Sequence, residues 1–370
     1  MNEIDETLRG GIARRNVPAV VAMFASDKKT LYSGAFGVRD ASGVPARADS
    51  IFAIASMTKA VTTVAALQLV DQGKLTLDEP VAKFLPALAN LPVLGPPLRP
   101  SKTTITLRHL ITHTSGLCYD TWDGEMFKYT SQVPPPDTSK PGPLMFEPGT
   151  RWQYGQGVDW AGRLVEAISG KTLEDYFQQF IFKPLGMVDT SFILPSEKFD
   201  RLVTRRVRLE NGESQFLERK LPTPPTSFNG GGGLYSTAAD YVRFMQMILR
   251  KGTSENGVRL LKAKTVESMG MNQIGELTAG KMKSYRPLAS ADVDIQPGAT
   301  EKWGLGFLIN TTPYPGGRSA GSLAWAGLYN TFYWIDPKRK RCGVILMQFL
   351  PFVDKEAVGL FGEFEKAVYK

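Results

Sequence analysis

Serine followed at the third position by lysine occurs twice in this chain, at Ser26-Asp27-Lys28-Lys29 and at Ser56-Met57-Thr58-Lys59. A serine hydroxyl becomes a nucleophile only when a neighbouring group takes its proton, and a lysine amine can do so. Position separates the two copies. The first falls in a polar turn between two β-rich stretches, where nothing fixes the lysine relative to the serine. The second opens an apolar pattern, Val61, Val64, Ala65, Leu67 and Val70, that recurs at helical spacing up to Gly73. There Lys59 lies one turn after Ser56, about 4.5 Å along the axis and on the same face. A helix start also presents unpaired N–H groups and a positive dipole end to the charge that develops on the serine. By itself the pair fits equally well a capping serine beside a solvated lysine, so further partners are required.

The other reactive residues fit catalysis less well. Gly317-Arg318-Ser319-Ala320-Gly321 satisfies the Gly-x-Ser-x-Gly string, but it follows Pro313 and Pro315 and runs into a strand pattern. A nucleophile elbow needs a strand before the serine, a helix after it and a later histidine, so a glycine-rich turn is the better reading. His109 and His113 are the two histidines of the chain. Their four-residue spacing resembles half a zinc site, but Leu110 stands where the zinc-protease motif has Glu, and a helix end with structural imidazoles is expected. Cys118 and Cys342 have no Cys or His at ligand spacing, so neither a disulfide framework nor a metal site is expected.

Around these residues the chain must build a scaffold, and with 370 residues it can bury a large core without staples. Hydrophobic residues are 42% and charged residues 22%, a globular composition. The net charge of +8 is scattered, which argues against nucleic-acid binding. The dense cluster Lys338-Arg339-Lys340-Arg341 reads as a solvated hairpin turn. The longest apolar stretches, Val17 to Ala25 and Cys342 to Val353, are shorter than the roughly 18 residues of a membrane span. The acidic start Met1 to Glu6 does not resemble a secretory signal, so a cytoplasmic location is expected.

Strand patterns occupy Ala19 to Ala25, Thr30 to Val38, Trp303 to Ile309, Ser322 to Trp325, Thr331 to Ile335 and Cys342 to Phe349. Asn211-Gly212 marks another hairpin. Helix patterns cover Glu3 to Arg15, Leu107 to Thr112, Val158 to Ser169, Leu173 to Phe182, Ala238 to Arg250 and Lys355 to Tyr369. The prolines between Pro134 and Pro148 call for a stiff surface loop. Strands at both ends and helices in the middle imply an α+β fold. Residues 1–75 and 296–370 are expected to form one antiparallel sheet flanked by terminal helices, and residues 76–295 a mainly helical inserted domain, with the site at their interface.

The chain resembles the serine β-lactamase and penicillin-binding-protein superfamily, most closely its class C β-lactamase and family VIII carboxylesterase branch. The resemblance rests on Phe52 to Lys59, Leu69 to Pro80, Leu107 to Leu117, Phe146 to Tyr154, Gly230 to Asp240 and Trp325-Ala326-Gly327, in order over some 280 residues. It implies a β-lactamase-like fold and a Ser56-Lys59-Tyr154 apparatus, in which Tyr154 takes the serine's proton. A free phenol titrates near pH 10, and a neighbouring ammonium favours its ionised form. Histidine is then unnecessary.

The same resemblance assigns the oxyanion hole to the backbone N–H groups of Ser56 and Leu328, and substrate contacts to Gln156, Trp325 and Gly327. Two positions depart from the lactamase pattern. Gln156 stands where lactamases have Asn, and Trp325 stands where they have a cation that recognises the substrate carboxylate. Loss of that charge implies neutral substrates. The expected activity is a serine carboxylesterase acting on small neutral acyl esters, without metal or cofactor. The alternatives are an acyltransferase using the same acyl-enzyme, weak β-lactamase or D-peptidase activity, and a non-catalytic binding domain, which the three residues together disfavour. The expected partner is a small-molecule ester, with no nucleic acid and no membrane.

Overall fold

The computed structural model describes residues 3–133 and 140–370. Seven strands form the main sheet: β1 (Ala19–Ser26), β2 (Thr30–Gly37), β3 (Glu301–Trp303), β4 (Leu308–Asn310), β5 (Leu323–Gly327), β6 (Thr331–Asp336) and β7 (Arg341–Leu346). Their order is β2-β1-β7-β6-β5-β4-β3, and every neighbouring pair is antiparallel. The two ends of the chain join where β1 meets β7, with Val21 opposite Leu346 and Ser26 opposite Arg341. All eight residues of β1 are buried, which explains why it reads as a continuous apolar run rather than an alternation. The expected α+β sheet of terminal strands is therefore observed.

One face of the sheet is covered by α1 (Glu3–Arg15) and α5 (Lys355–Tyr369). Trp334 of β6 packs there against Phe361 and Phe364, at ring distances of 5.7 and 5.8 Å. The opposite face carries α4 (Ala238–Leu249), whose Tyr241 ring lies 5.0 Å from Tyr333 and whose Gln246 side chain donates to the Ser26 carbonyl at 2.8 Å. The middle of the chain thus supplies part of the sheet's own covering, in addition to its helical portion.

Helix α2 (Thr58–Asp71) runs through the interior, and its residues from Thr58 to Leu69 are all buried. In a helix buried on every side most polar groups find partners inside the protein. Thr62 Oγ1 accordingly donates to the Gly230 carbonyl at 2.6 Å, and Gln68 Nε2 to the Phe180 carbonyl at 3.1 Å. The helix ends near Gly73, which has φ +71°. Helix α3 (Gly157–Ser169) packs across α2 and ends at Gly170 in a left-handed conformation.

Two strand expectations change. The stretch Trp303 to Ile309 is not one strand, because Gly306 takes φ +83° and turns the chain into the β3–β4 hairpin. The stretch Cys342 to Phe349 divides into β7 and a short strand, Phe349–Leu350, which pairs in parallel with Arg206–Arg208. Asn211-Gly212 joins Arg206–Arg208 to Ser214–Phe216 as a hairpin. The expected helix from Leu173 to Phe182 is α-helical to Phe177 and continues as a π-helical turn. Part of the Pro-rich loop, residues 134–139, lies outside the described residues. Among the described residues, no helix is long and apolar enough to cross a membrane.

Candidate active site

Ser56 lies in the 3₁₀ turn Ala55–Met57 that leads into α2. Ala55 immediately before it has φ +43°, a left-handed conformation that a residue with a Cβ adopts at a cost of order 1 kcal/mol or more. Surrounding bonds hold this turn. The Ile54 N–H donates to the Leu234 carbonyl at 3.0 Å, Tyr241 OH donates to the Met57 carbonyl at 3.0 Å, and Phe52–Ala53 pairs with Tyr235–Ser236. Lys59, only 2% exposed, directs Nζ to Ser56 Oγ at 3.2 Å, Tyr119 Oη at 3.2 Å and the Gly231 carbonyl at 2.6 Å. The helical spacing therefore brings amine and hydroxyl together as expected. The other Ser-x-x-Lys copy builds a turn, with Ser26 Oγ accepting from the Lys28 and Lys29 N–H groups at 3.1 Å.

Close backbone approach explains the glycine-rich segments. A Cβ on Gly231 would lie 2.2 Å from Asp159 Oδ2, and one on Gly230 would lie 3.0 Å from the Gly162 Cα. Without side chains these two residues bring their carbonyls to Lys59 and Thr62. Gly327 at the end of β5 is equally constrained, since a Cβ there would lie 2.2 Å from the Ile54 carbonyl oxygen. Its absence lets β5 reach the nucleophile turn, and Leu328 follows in the same cavity wall as Ser56.

Two phenols flank the lysine. Tyr154 is 1% exposed, and Lys59 Nζ lies 4.8 Å from the centre of its ring. Its hydroxyl accepts a hydrogen bond from Trp325 Nε1 at 3.2 Å. Tyr119 accepts from Lys59 and donates to Asp159 Oδ2 at 2.7 Å. Burial, reinforced by the Asp159 charge, pushes the Tyr119 phenol well above its ordinary pKa, so it stays protonated. Burial likewise raises the Asp159 carboxyl, although Lys59 opposes the shift.

His113 brackets Tyr154. Its carbonyl accepts the Gln153 N–H at 3.0 Å, and its Nδ1 accepts the Gly155 N–H at 3.3 Å. An accepting Nδ1 requires a neutral imidazole with its proton on Nε2. Burial and then the Lys59 charge push its pKa well below the usual value, in agreement. His109 instead closes a capping box with Thr106. Both imidazoles therefore play structural parts. Ser319, of the other serine motif, is buried with its N–H on Asp336 Oδ2 at 2.9 Å, in the turn before β5.

Ser56 opens into a cavity of about 360 Å³ walled largely by apolar groups, including Trp122, Leu234, Tyr235 and Leu328, with Arg205 as its charged residue. A second cavity of about 290 Å³ adjoins it and shares Tyr119 and Asn229 in its walls. Gln156 lines this second cavity, whereas Trp325 lines neither and directs its indole N–H to Tyr154. Tyr119, Asp159 and Arg205 are site residues that the motifs do not reveal. Tyr119 follows the His-Thr-Ser-Gly-Leu stretch by only two positions, which was the one available signal for it.

Known proteins share this arrangement of elements. The Beta-lactamase family profile matches residues 4–361. The lovastatin esterase of Penicillium rubens is 33% identical over 359 residues, covering 89% of this chain and 86% of that protein. The monacolin J acid methylbutanoyltransferase of Aspergillus terreus is 30% identical over 404 residues, covering 99% of this chain and 95% of that protein. Unliganded simvastatin synthase from Aspergillus terreus superimposes with a TM-score of 0.83 at 28% identity, covering 99% and 97% of the two chains. With a family match over nearly its whole length and a serine–lysine pair at the head of a buried helix, the chain belongs to the β-lactamase family and is an enzyme of the serine-hydrolase type.

Proposed function

We propose that this enzyme is an acyltransferase that moves a small neutral acyl group from an ester to an alcohol through an acyl-enzyme on Ser56. The observation that carries the reading is the 3.2 Å contact between Lys59 Nζ and Ser56 Oγ, with Ser56 in the wall of one cavity that adjoins a second through Tyr119 and Asn229. Adjoining cavities suit a donor acyl group and a separate acceptor. In the first half-reaction Ser56 Oγ attacks the ester carbonyl, its proton passes to the Lys59 and tyrosine group, and the donor alcohol leaves with a proton. The Ser56 and Leu328 N–H groups are assigned the carbonyl oxygen. In the second half-reaction the acceptor hydroxyl attacks the acyl-enzyme and Ser56 regains its proton. Two of the relatives described above carry transferase or synthase names, which supports transfer.

A second reading, carboxylesterase, differs only in that water attacks the acyl-enzyme. The esterase name of the 33% identical relative favours it. Product analysis separates the two. The purified enzyme is given p-nitrophenyl butyrate with increasing concentrations of an alcohol acceptor, and transferred ester and free butyrate are quantified by mass spectrometry. Transfer predicts an ester yield that rises and saturates with acceptor. Butyrate alone at every acceptor concentration would overturn it in favour of hydrolysis.

A further inference from the structure

We propose that Tyr119 and Asp159 form a proton relay that discharges Lys59, turning it from an ammonium into the amine that accepts the Ser56 proton. The proposal deepens the function above and rests on Ser56 as nucleophile.

An ammonium carries three protons and no lone pair. Lys59 Nζ has three oxygen partners, Ser56 Oγ, Tyr119 Oη and the Gly231 carbonyl. With a proton on each it holds the serine in place but cannot act as a base. The Gly231 carbonyl can only accept, so it offers no way out. Tyr119 does, because its own proton is directed to Asp159 Oδ2 at 2.7 Å and its oxygen accepts from Lys59.

The relay balances without an outside reagent. One N–H bond of Lys59 breaks as its proton moves to Tyr119 Oη. The original Tyr119 O–H bond breaks as that proton moves to Asp159 Oδ2. Lys59 becomes a neutral amine, Asp159 a neutral carboxylic acid, and Tyr119 is a phenol before and after. The amine then turns about its Cε–Nζ bond, brings its lone pair to the Ser56 hydroxyl, and takes that proton as Oγ attacks the acyl carbon.

The surroundings favour this neutral pair. Asp159 lies in α3 beneath the Gly231 backbone, which would meet its oxygen at 2.2 Å had it a Cβ. Burial raises its carboxyl toward the protonated form and keeps the Tyr119 phenol from ionising. The other titratable groups facing Lys59 are Tyr154, whose ring it overlies, and the neutral His113. Asp159 also lines the second cavity, where Asp120, Lys140 and Arg163 are the other charged residues of the wall. The relay sets the charge of Lys59 whichever oxygen then orients the serine proton, and so it complements Tyr154.

The test compares wild type, Tyr119→Phe and Asp159→Asn by the rate at which a fluorophosphonate labels Ser56, from pH 6 to pH 10. Both replacements keep the side-chain shape and remove one relay step. The relay predicts labelling about 100-fold slower than wild type at pH 7, with the deficit closing toward pH 10, where hydroxide from solution takes over as the proton acceptor that the relay no longer provides. An equal deficit at every pH in both variants shows a merely structural role and overturns the relay, as does wild-type labelling in both. Should Asp159→Asn fail to fold, Tyr119→Phe alone decides by the same criteria. Absence of Ser56 labelling in wild type would instead overturn the underlying acyl-enzyme reading.

Discussion

Trp325 donates its indole N–H to the Tyr154 hydroxyl at 3.2 Å, from the strand position where the resemblance leads one to expect a cation. The indole therefore orients the phenol as a neutral donor and adds no positive charge to the substrate cavity. Trp325→Phe keeps an aromatic ring and removes this one bond, which is worth about 0.5–1.5 kcal/mol. Acylation by a p-nitrophenyl ester should slow by about 2- to 13-fold, measured as kcat/KM. An unchanged value would separate the indole from the work of Tyr154.

Gly327 is a position where one methyl group should be felt strongly. Its Cβ would lie 2.2 Å from the Ile54 carbonyl oxygen and 2.3 Å from Thr331 Oγ1, so β5 or the Ser56 turn must shift. A shift of that kind displaces Ser56 and Leu328 relative to one another. Gly327→Ala should lower kcat/KM by roughly 100-fold, the scale of losing one oxyanion donor. Near-normal activity would show that the two N–H groups do not act together.

Stability should depend on pH through Glu301, in β3. Burial pushes its carboxyl up to about 7 from an ordinary 4.5, despite the opposing charge of Arg318. The folded state holds this proton more tightly than the unfolded state, so no stability is lost below about pH 4. As pH rises from 4.5 to 7 the folded state loses on the order of 3 kcal/mol, and the loss is constant above. Glu301→Gln removes the titration, so its Tm relative to wild type should increase between pH 5 and pH 8 in thermal melts. A difference that does not change with pH would contradict the assignment.

How much of this was legible in the sequence depended on the range of the interaction. Ser56 and Lys59 are one helical turn apart, so the helix pattern alone sets them side by side. The helices Glu3–Arg15 and Lys355–Tyr369 were readable end to end for the same local reason. Tyr154 was reached through the resemblance, since no local rule joins residues 98 positions apart. Tyr119 and Asp159 are separated by 40 positions and meet because the segment before Tyr119 bonds to the start of α3, with Cys118 bridged to Gly155 and the Leu117 carbonyl accepting the Gln156 N–H at 2.8 Å. No motif encodes that pairing. The single strand expected from Trp303 to Ile309 failed because β-rich residues on both sides outweighed Gly304 and Gly306, where the chain turns. Arg205 was invisible because its neighbours in the cavity wall come from five other stretches of chain.

The central claim is that the Ser56 hydroxyl is the one activated nucleophile, and intact mass spectrometry tests it most directly. After incubation with a fluorophosphonate, the protein should gain a single adduct that peptide mapping places on Ser56. Ser56→Ala should remain unlabelled and turn over no ester. Labelling at Ser319 or at any other residue, or ester turnover by Ser56→Ala at the wild-type rate, would contradict the account.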